Sequence, residues 1–327
     1  MVQAALLDEQ DATHAWLVEH LWARAGVGII GGAPKCCKSW LGLELAVAVA
    51  SSTPCLARFP VDAAGPVLVY LAEDSPHFVK QRLRSLCHCR GVDLAGIPLH
   101  VITAPSLRLD LERDQRRLDA TVAGLGPRLL LLDPFVRLHR INENDAGEVS
   151  GILAFLRELQ RTHSLAVVVV HHTRKNGPAG SQAGQGLRGS SDFHAWTDSA
   201  LYLRRQRDQL LLTIEHRAAP APDPLPLTLV TRDGNPHLEL LAADTESAES
   251  APLAGRILAA IDVLGGTATR DALRAALRVR NERLGPELTR LTADGTLART
   301  PAGWSRVPVP PPREGAERND DRTLSLF

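Results

Sequence analysis

The passage from Val27 to Ala50 constrains this chain most. An apolar run, Val27-Gly28-Ile29-Ile30, leads through Gly31 into Gly32-Ala33-Pro34-Lys35-Cys36-Cys37-Lys38-Ser39, and an apolar helical pattern continues from Trp40 to Ala50. Strand, glycine-led loop and helix in immediate succession gather backbone N–H groups and a helix N-terminus around one point, a cradle for phosphate. In that arrangement Gly32, Ala33, Pro34, Lys35, Cys36, Cys37, Lys38, Ser39 and Trp40 contact a nucleotide, Lys38 meets the phosphate charge, and Ser39 ligates Mg²⁺. Cys37 stands where the pattern GxxxxGK(S/T) has its second glycine. A Cβ there crowds the turn but removes no N–H donor. The alternative is an ordinary Gly-Pro turn between strand and helix, and the rest of the chain decides between the two.

With 327 residues the chain exceeds one average domain, and its length suggests about two. Apolar residues make up 44% and charged residues 23%, a globular balance. The formal net charge is zero, so any nucleic-acid surface must come from local clustering. Neither a signal peptide nor an apolar run of about 18 residues is present, which predicts a cytoplasmic, non-membrane protein, nucleoid-associated if DNA is its partner. The five cysteines (36, 37, 55, 87, 89) do not form a disulfide framework, and Cys87-His88-Cys89 offers too few ligands for zinc. They read as reduced thiols. Beside Lys35 and Lys38, the vicinal Cys36-Cys37 pair is expected to have lowered thiol pKa values and to block the site on oxidation.

Residues 1–25 read as an N-terminal segment whose piece from Trp16 to Trp22 packs against the core. From 26 to 241, apolar strands (27–31, 66–72, 98–103, 128–133, 165–171, 199–203, 209–215, 226–230, 237–241) alternate with helical patterns (38–51, 76–90, 112–122, 147–162). Runs such as Leu129–Leu132 and Ala166–Val170 suit strands buried on both faces. The pattern predicts an α/β core with a mostly parallel sheet and an antiparallel edge made by the last strands. Residues 242–252 read as a linker, 253–306 as a second small unit, and 307–327 as a disordered tail.

Three strand ends carry chemistry. Parallel strands deliver ligand-facing groups at their carboxyl ends. Glu73, just beyond strand 66–72, can therefore orient and deprotonate a water; the alternative is a strand end at which Asp74 or Ser75 caps the next helix. Leu129-Leu130-Leu131-Leu132-Asp133 presents an acid to Mg²⁺ in the Walker B manner. Pro134 follows it, so the base does not directly follow that acid and Glu73 is the better candidate. Strand 165–171 runs into His171-His172-Thr173, where adjacent side chains face opposite ways, so that one of His172 or Thr173 can touch the γ-phosphate. The Gly/Ser/Gln-rich loop 176–191, flanked by Lys175 and containing Arg188, suits phosphodiester contact. Arg217, at a strand end across the domain from the loop, is a candidate finger for a neighbouring subunit's phosphate.

GAPKCCKS at 32–39, VLVYLAED at 67–74, LLLLDP at 130–134, VVVVHHTRK at 167–175, LRGSSDFHAWTDSALYL at 187–203 and TIEHR at 213–217 follow one another as in a known family. Together they resemble the RepA-like, hexameric replicative helicase type of the RecA-type P-loop ATPases, over roughly residues 15–230. The resemblance implies a RecA-type core, ATP and Mg²⁺ as cofactors, and a homo-oligomeric, hexameric ring with sites between subunits. It assigns Lys38 and Ser39 to phosphate and metal, Asp133 to Walker B, Glu73 to catalysis, His172 to sensing phosphate and Arg217 to acting in trans. Departures are Cys37 for glycine, and Glu215-His216 where related proteins offer a lysine.

The unit at 253–306 resembles a winged helix, with helices opening near Leu253, Thr269 and Asn281 and a wing made by Thr296–Arg299 and Gly303–Arg306. Pro286 fits its third helix only near the first turn. Nine arginines face five acidic residues there. Arg280, Arg283 and Arg290 cluster, with Arg274 and Arg278, around the third helix as candidate DNA phosphate contacts, the alternative being a protein-binding winged helix. The terminal Leu324-Ser325-Leu326-Phe327 resembles the peptide that replication and repair proteins insert into the bacterial sliding clamp, with Thr323 in place of glutamine. The expected function is an ATP-hydrolysing, DNA-associated motor of replication, repair or mobile-element maintenance; the alternative is an ATP-responsive DNA-binding switch with little hydrolysis.

Overall fold

Trp16–Val18 (β1) and Trp22–Ala23 (β2) pair as an antiparallel ribbon, and Leu17, Val18, Leu21 and Trp22 are buried with it. The computed structural model describes residues 16–143, 145–172, 192–206, 209–241, 253–277, 279 and 281–307. Two compact units separate, residues 1–243 and 244–327. The expected loop at 176–191, the linker at 242–252 and Thr173, Lys175, Arg188, Arg280, Leu324, Leu326 and Phe327 lie outside the described residues, as does the side chain of Arg283.

In the first unit, β3 (Val27–Gly32) leads to α1 (Lys38–Ser51), β4 (Val67–Leu71), α2 (Pro76–Cys89), β5 (Leu99–Val101), α3 (Glu112–Leu125), β6 (Leu129–Asp133), α4 (Ala146–His163) and β7 (Ala166–His172). A short α5 (Asp192–Trp196) precedes β8 (Ser199–Gln206), β9 (Gln209–His216), β10 (Leu225–Arg232) and β11 (Asn235–Leu240). The nine-stranded sheet has the order β11-β10-β9-β8-β3-β7-β6-β4-β5. Strands β3 to β8 are mutually parallel, and β9 to β11 form the expected antiparallel edge.

The continuous apolar runs are explained by burial on both faces. Val67, Val69, Leu129, Leu131, Val168 and Val170 join one core cluster, while Leu68, Tyr70, Leu130, Leu132, Val167 and Val169 join the other. Each such side chain taken out of water contributes about 1.5–3 kcal/mol before entropic costs, so the central strands are the rigid frame on which the loops stand. Helix α1 belongs to the first layer and α4 to the second. Asp145 caps α4 by accepting from the N–H groups of Gly147 and Glu148. Ser75 makes no such side-chain bond at the start of α2; Asp74 turns instead to Arg82, 2.5 Å away.

The second unit contains α6 (Leu253–Val263), β12 (Thr267–Ala268), α7 (Arg270–Leu277), α8 (Asn281–Ala293), β13 (Leu297–Thr300) and β14 (Gly303–Arg306), with sheet order β12-β14-β13. Ile257, Ile261, Leu273, Leu284, Leu288 and Leu291 form its core. Thr269 Oγ1 accepts from Ala272 N at 3.2 Å, capping α7. Helix α8 continues through Pro286, well past its first turn, and forgoes the bond a backbone N–H would donate there. Among the described residues no helix is long and apolar enough to cross a membrane.

Candidate nucleotide site

Pairing register brings the chemistry-bearing strand ends to one edge of the sheet. Gly32 at the end of β3 lies opposite His172 on β7 and Leu203 on β8, and Leu71 on β4 lies opposite Asp133 on β6. Lys35 to Trp40, Glu73, Asp133 and His172 share the walls of one cavity of about 310 Å³, joined by Arg82, Pro134 and Val170. Gly32 has no room for a side chain, because a Cβ would stand 2.4 Å from the Leu203 carbonyl oxygen. The start of α1 has no side-chain cap and no acidic residue in its first turn, so its N–H donors are left for an anion. Lys38 is buried and its Nζ donates to the Ala33 carbonyl at 2.8 Å. Burial pushes the Lys38 pKa down, against the opposing pull of Cys36, Asp133 and Glu73.

Cys37 adopts φ 64° and ψ 25°, the left-handed conformation that glycine takes freely. The departure from the glycine pattern thus costs backbone strain, about 1–2 kcal/mol for a residue with a Cβ. Cys37→Gly is expected to raise stability to urea by about 1 kcal/mol, net of the extra chain entropy of glycine. A lower unfolding midpoint would contradict this account of the loop.

The expectation of acidic vicinal thiols is not met. Desolvation raises both Cys36 and Cys37, outweighing Lys38 and Arg205. The lysines are too few to offset the loss of water around sulfur, and the Cys36 thiol is already used, donating to the Ala33 carbonyl at 2.8 Å.

Asp133 is buried at the end of β6, and burial pushes its carboxyl up to about 6, helped by Asp74 and Glu73 and opposed by a Ser39 hydrogen bond and Lys38. A carboxyl with a folded pKa above its unfolded value of 3.8 takes up a proton on folding. Its cost is absent below about pH 4 and fully present above about pH 6, where the gap of about two units amounts to about 3 kcal/mol. Asp133→Asn is therefore expected to be more stable than the parent at pH 7.5, by up to about 3 kcal/mol, with the advantage vanishing near pH 4. Denaturant titrations at the two pH values check this, and an equal difference at both would contradict it.

Glu73 is half-exposed and its Oε1 accepts from Arg137 Nε at 2.8 Å. Arg82 holds Asp74 and lies over the Trp40 ring, 5.6 Å from its centroid. The two histidines divide as adjacent strand residues must: His171 stacks on Phe193 at 4.4 Å in the core, while His172 lines the cavity. Arg205, at the end of β8, donates to the Lys35 carbonyl of the loop at 3.3 Å. Sequence reasoning does not single out Arg82, Arg137 or Arg205; the strand-end position of Arg205 is the available signal.

Arg217 is not brought to this cavity. It follows β9 at the opposite end of the sheet, where Asp198 lies 3.5 Å from its Nε and the Ala195 carbonyl accepts from its Nη2. Arg290 on α8 is exposed and flanked by Glu287 at 2.8 Å and Asp294 at 3.4 Å. Among the described residues no group of three His, Cys, Asp or Glu could hold a metal alone. Ser39 and Asp133 fit a magnesium ion that draws its remaining ligands from phosphates and water.

A family model described as "AAA domain" matches residues 1–178. Among solved structures, the chain is similar to an ATPase domain, with TM-score 0.52 and 14% identity over 66% of this chain and 86% of that one. It is likewise similar to a DnaB-like replicative helicase solved for its interactions with primase, with TM-score 0.52 and 15% identity over 65% of this chain and 57% of that one. These likenesses are of fold alone: an α/β core built on a large, mostly parallel sheet.

Proposed function

The chain belongs to the AAA domain family, and from that premise we propose that it binds and hydrolyses ATP as a DNA-associated motor or remodeller of the RepA-like type. The observation that carries this reading is the convergence of Lys38, Ser39, Asp133, Glu73 and His172 on one cavity at the carboxyl edge of the sheet. Lys38 and the loop amides bind the phosphates, and Ser39 and Asp133 hold the magnesium. That ion neutralises phosphate charge when bound. Glu73 orients the attacking water and takes its proton; His172 contacts the γ-phosphate. Arg217, remote from its own loop, acts on a neighbouring subunit's nucleotide in a ring. The helix-strand-helix-helix-hairpin order of the second unit and its arginine excess support a DNA-contacting winged helix, with Arg280, Arg283 and Arg290 on phosphates. Lys175 and Arg188 contribute from the core, and Leu324, Leu326 and Phe327 engage the sliding clamp.

The Arg137 contact on Glu73 and the strain at Cys37 favour a second reading, an ATP-responsive DNA-binding switch with little turnover. Steady-state ATP hydrolysis with and without single-stranded DNA separates the two. A motor hydrolyses continuously and faster with DNA; a switch binds MgATP without multiple turnovers.

A further inference from the structure

A cavity of about 820 Å³ in the first unit lies apart from the nucleotide loop, between the ends of α1 and α2 and strand β11. On its wall, Cys89 Sγ is 3.1 Å from His237 Nδ1, and His237 Nε2 is 2.8 Å from Glu239 Oε1. The other Glu239 oxygen accepts from Arg232 Nη2 at 2.8 Å. An ionised carboxylate only accepts, so Nε2 carries the ring hydrogen and the bare Nδ1 faces the thiol. The Asn235 carbonyl, 3.2 Å from Nδ1, is placed to accept the hydrogen once the ring is charged. Nucleophile, base and orienting acid thus stand in the order that activated thiols require.

Cys89 is the exposed member of the five cysteines; Cys36, Cys55 and Cys87 are buried and Cys37 half-buried. Burial raises its thiol, so reaction near neutral pH depends on a partner that takes the proton. Arg58, Arg90 and Arg232 line the same cavity with Glu44, Asp233 and Glu239; Glu44 pairs with Arg90 and Glu239 with Arg232, which leaves Arg58 to meet a carboxylate of the reactant.

We infer that Cys89 is a modification site at which a thiol activated by His237 exchanges with small disulfides that carry carboxylates. His237 takes the Cys89 proton, and the sulfur attacks one sulfur of the incoming disulfide. That S–S bond breaks, and the departing thiolate takes the proton back from His237. One disulfide is consumed and one mixed disulfide and one thiol are made, with no further oxidant. The site is independent of the nucleotide reading.

The test incubates the full chain with oxidised glutathione or with the cationic disulfide cystamine, and follows intact mass and peptide maps. The expected result is a single glutathione adduct at Cys89 that Cys89→Ser removes. His237→Gln slows it about 10²-fold, and a free cysteine peptide sets the reference for a glutathione preference of about tenfold. Circular dichroism confirms that the variant is folded; if it is not, the parent's rate between pH 6 and 8 decides. A rate that flattens toward neutral pH supports activation, whereas a tenfold rise per pH unit is that of an ordinary thiol and overturns it. Adducts formed first at another cysteine, an unchanged rate in folded His237→Gln, or equal relative rates with both disulfides overturn it as well.

Discussion

Lys38→Ala is expected to abolish ATP hydrolysis and to weaken MgATP binding by about 10- to 100-fold, the value of a charge-assisted contact of about 1.5–3 kcal/mol. A further factor of about 10²–10³ is lost in turnover, because charge that develops on the phosphates no longer meets a fixed cation. The fold survives the change. Lys38 is buried, its ammonium contacts only atoms of its own loop, and desolvation already disfavours its charge. Removing a desolvated cation costs no core packing, so thermal unfolding should stay at or above the parent value while calorimetric binding and phosphate release collapse together. A variant that binds MgATP as tightly as the parent would separate Lys38 from the nucleotide.

Glu73→Gln is expected to lower turnover by about 10²–10⁴-fold and to leave MgATP affinity within a few-fold of the parent. The amide keeps the shape and the contact with a donor but cannot take a proton from water. Glu73 is half-exposed and its pair with Arg137 is a surface ion pair, worth about 1 kcal/mol or less, so the carboxylate can leave the arginine at little cost. Single-turnover hydrolysis beside equilibrium binding checks the split. Equal losses in both would make Glu73 a binding group, and unchanged turnover would move the base elsewhere.

Much of the core was legible in advance for one physical reason. A parallel sheet covered on both sides makes runs such as Leu129–Leu132 and Ala166–Val170 apolar at every position, and the polar residue that ends each run marks the carboxyl edge. Asp133 and His172 could be found in this way, and the alternation rule separated His172 from the buried His171. Trp16–Trp22 was harder, since strands of three and two residues show no period, and the five-residue α5 has the same difficulty. Arg82 and Arg137 were invisible because a guanidinium on a helix or turn looks alike whether or not the fold brings it to a cavity. The left-handed backbone of Cys37, the burial of Asp133 and Cys36 and the partial burial of Cys37 are tertiary facts. Those facts reversed the expected acidity of the thiols and moved the cost of the missing glycine from side-chain crowding to φ.

The central claim is that residues 32–39 hold a triphosphate despite the thiol in the bend. Titration calorimetry of the full chain with MgATP and with a slow-hydrolysing analogue tests it most directly. The account predicts saturable heat with one site per chain, lost in Lys38→Ala. No heat from the folded parent with either nucleotide would contradict it.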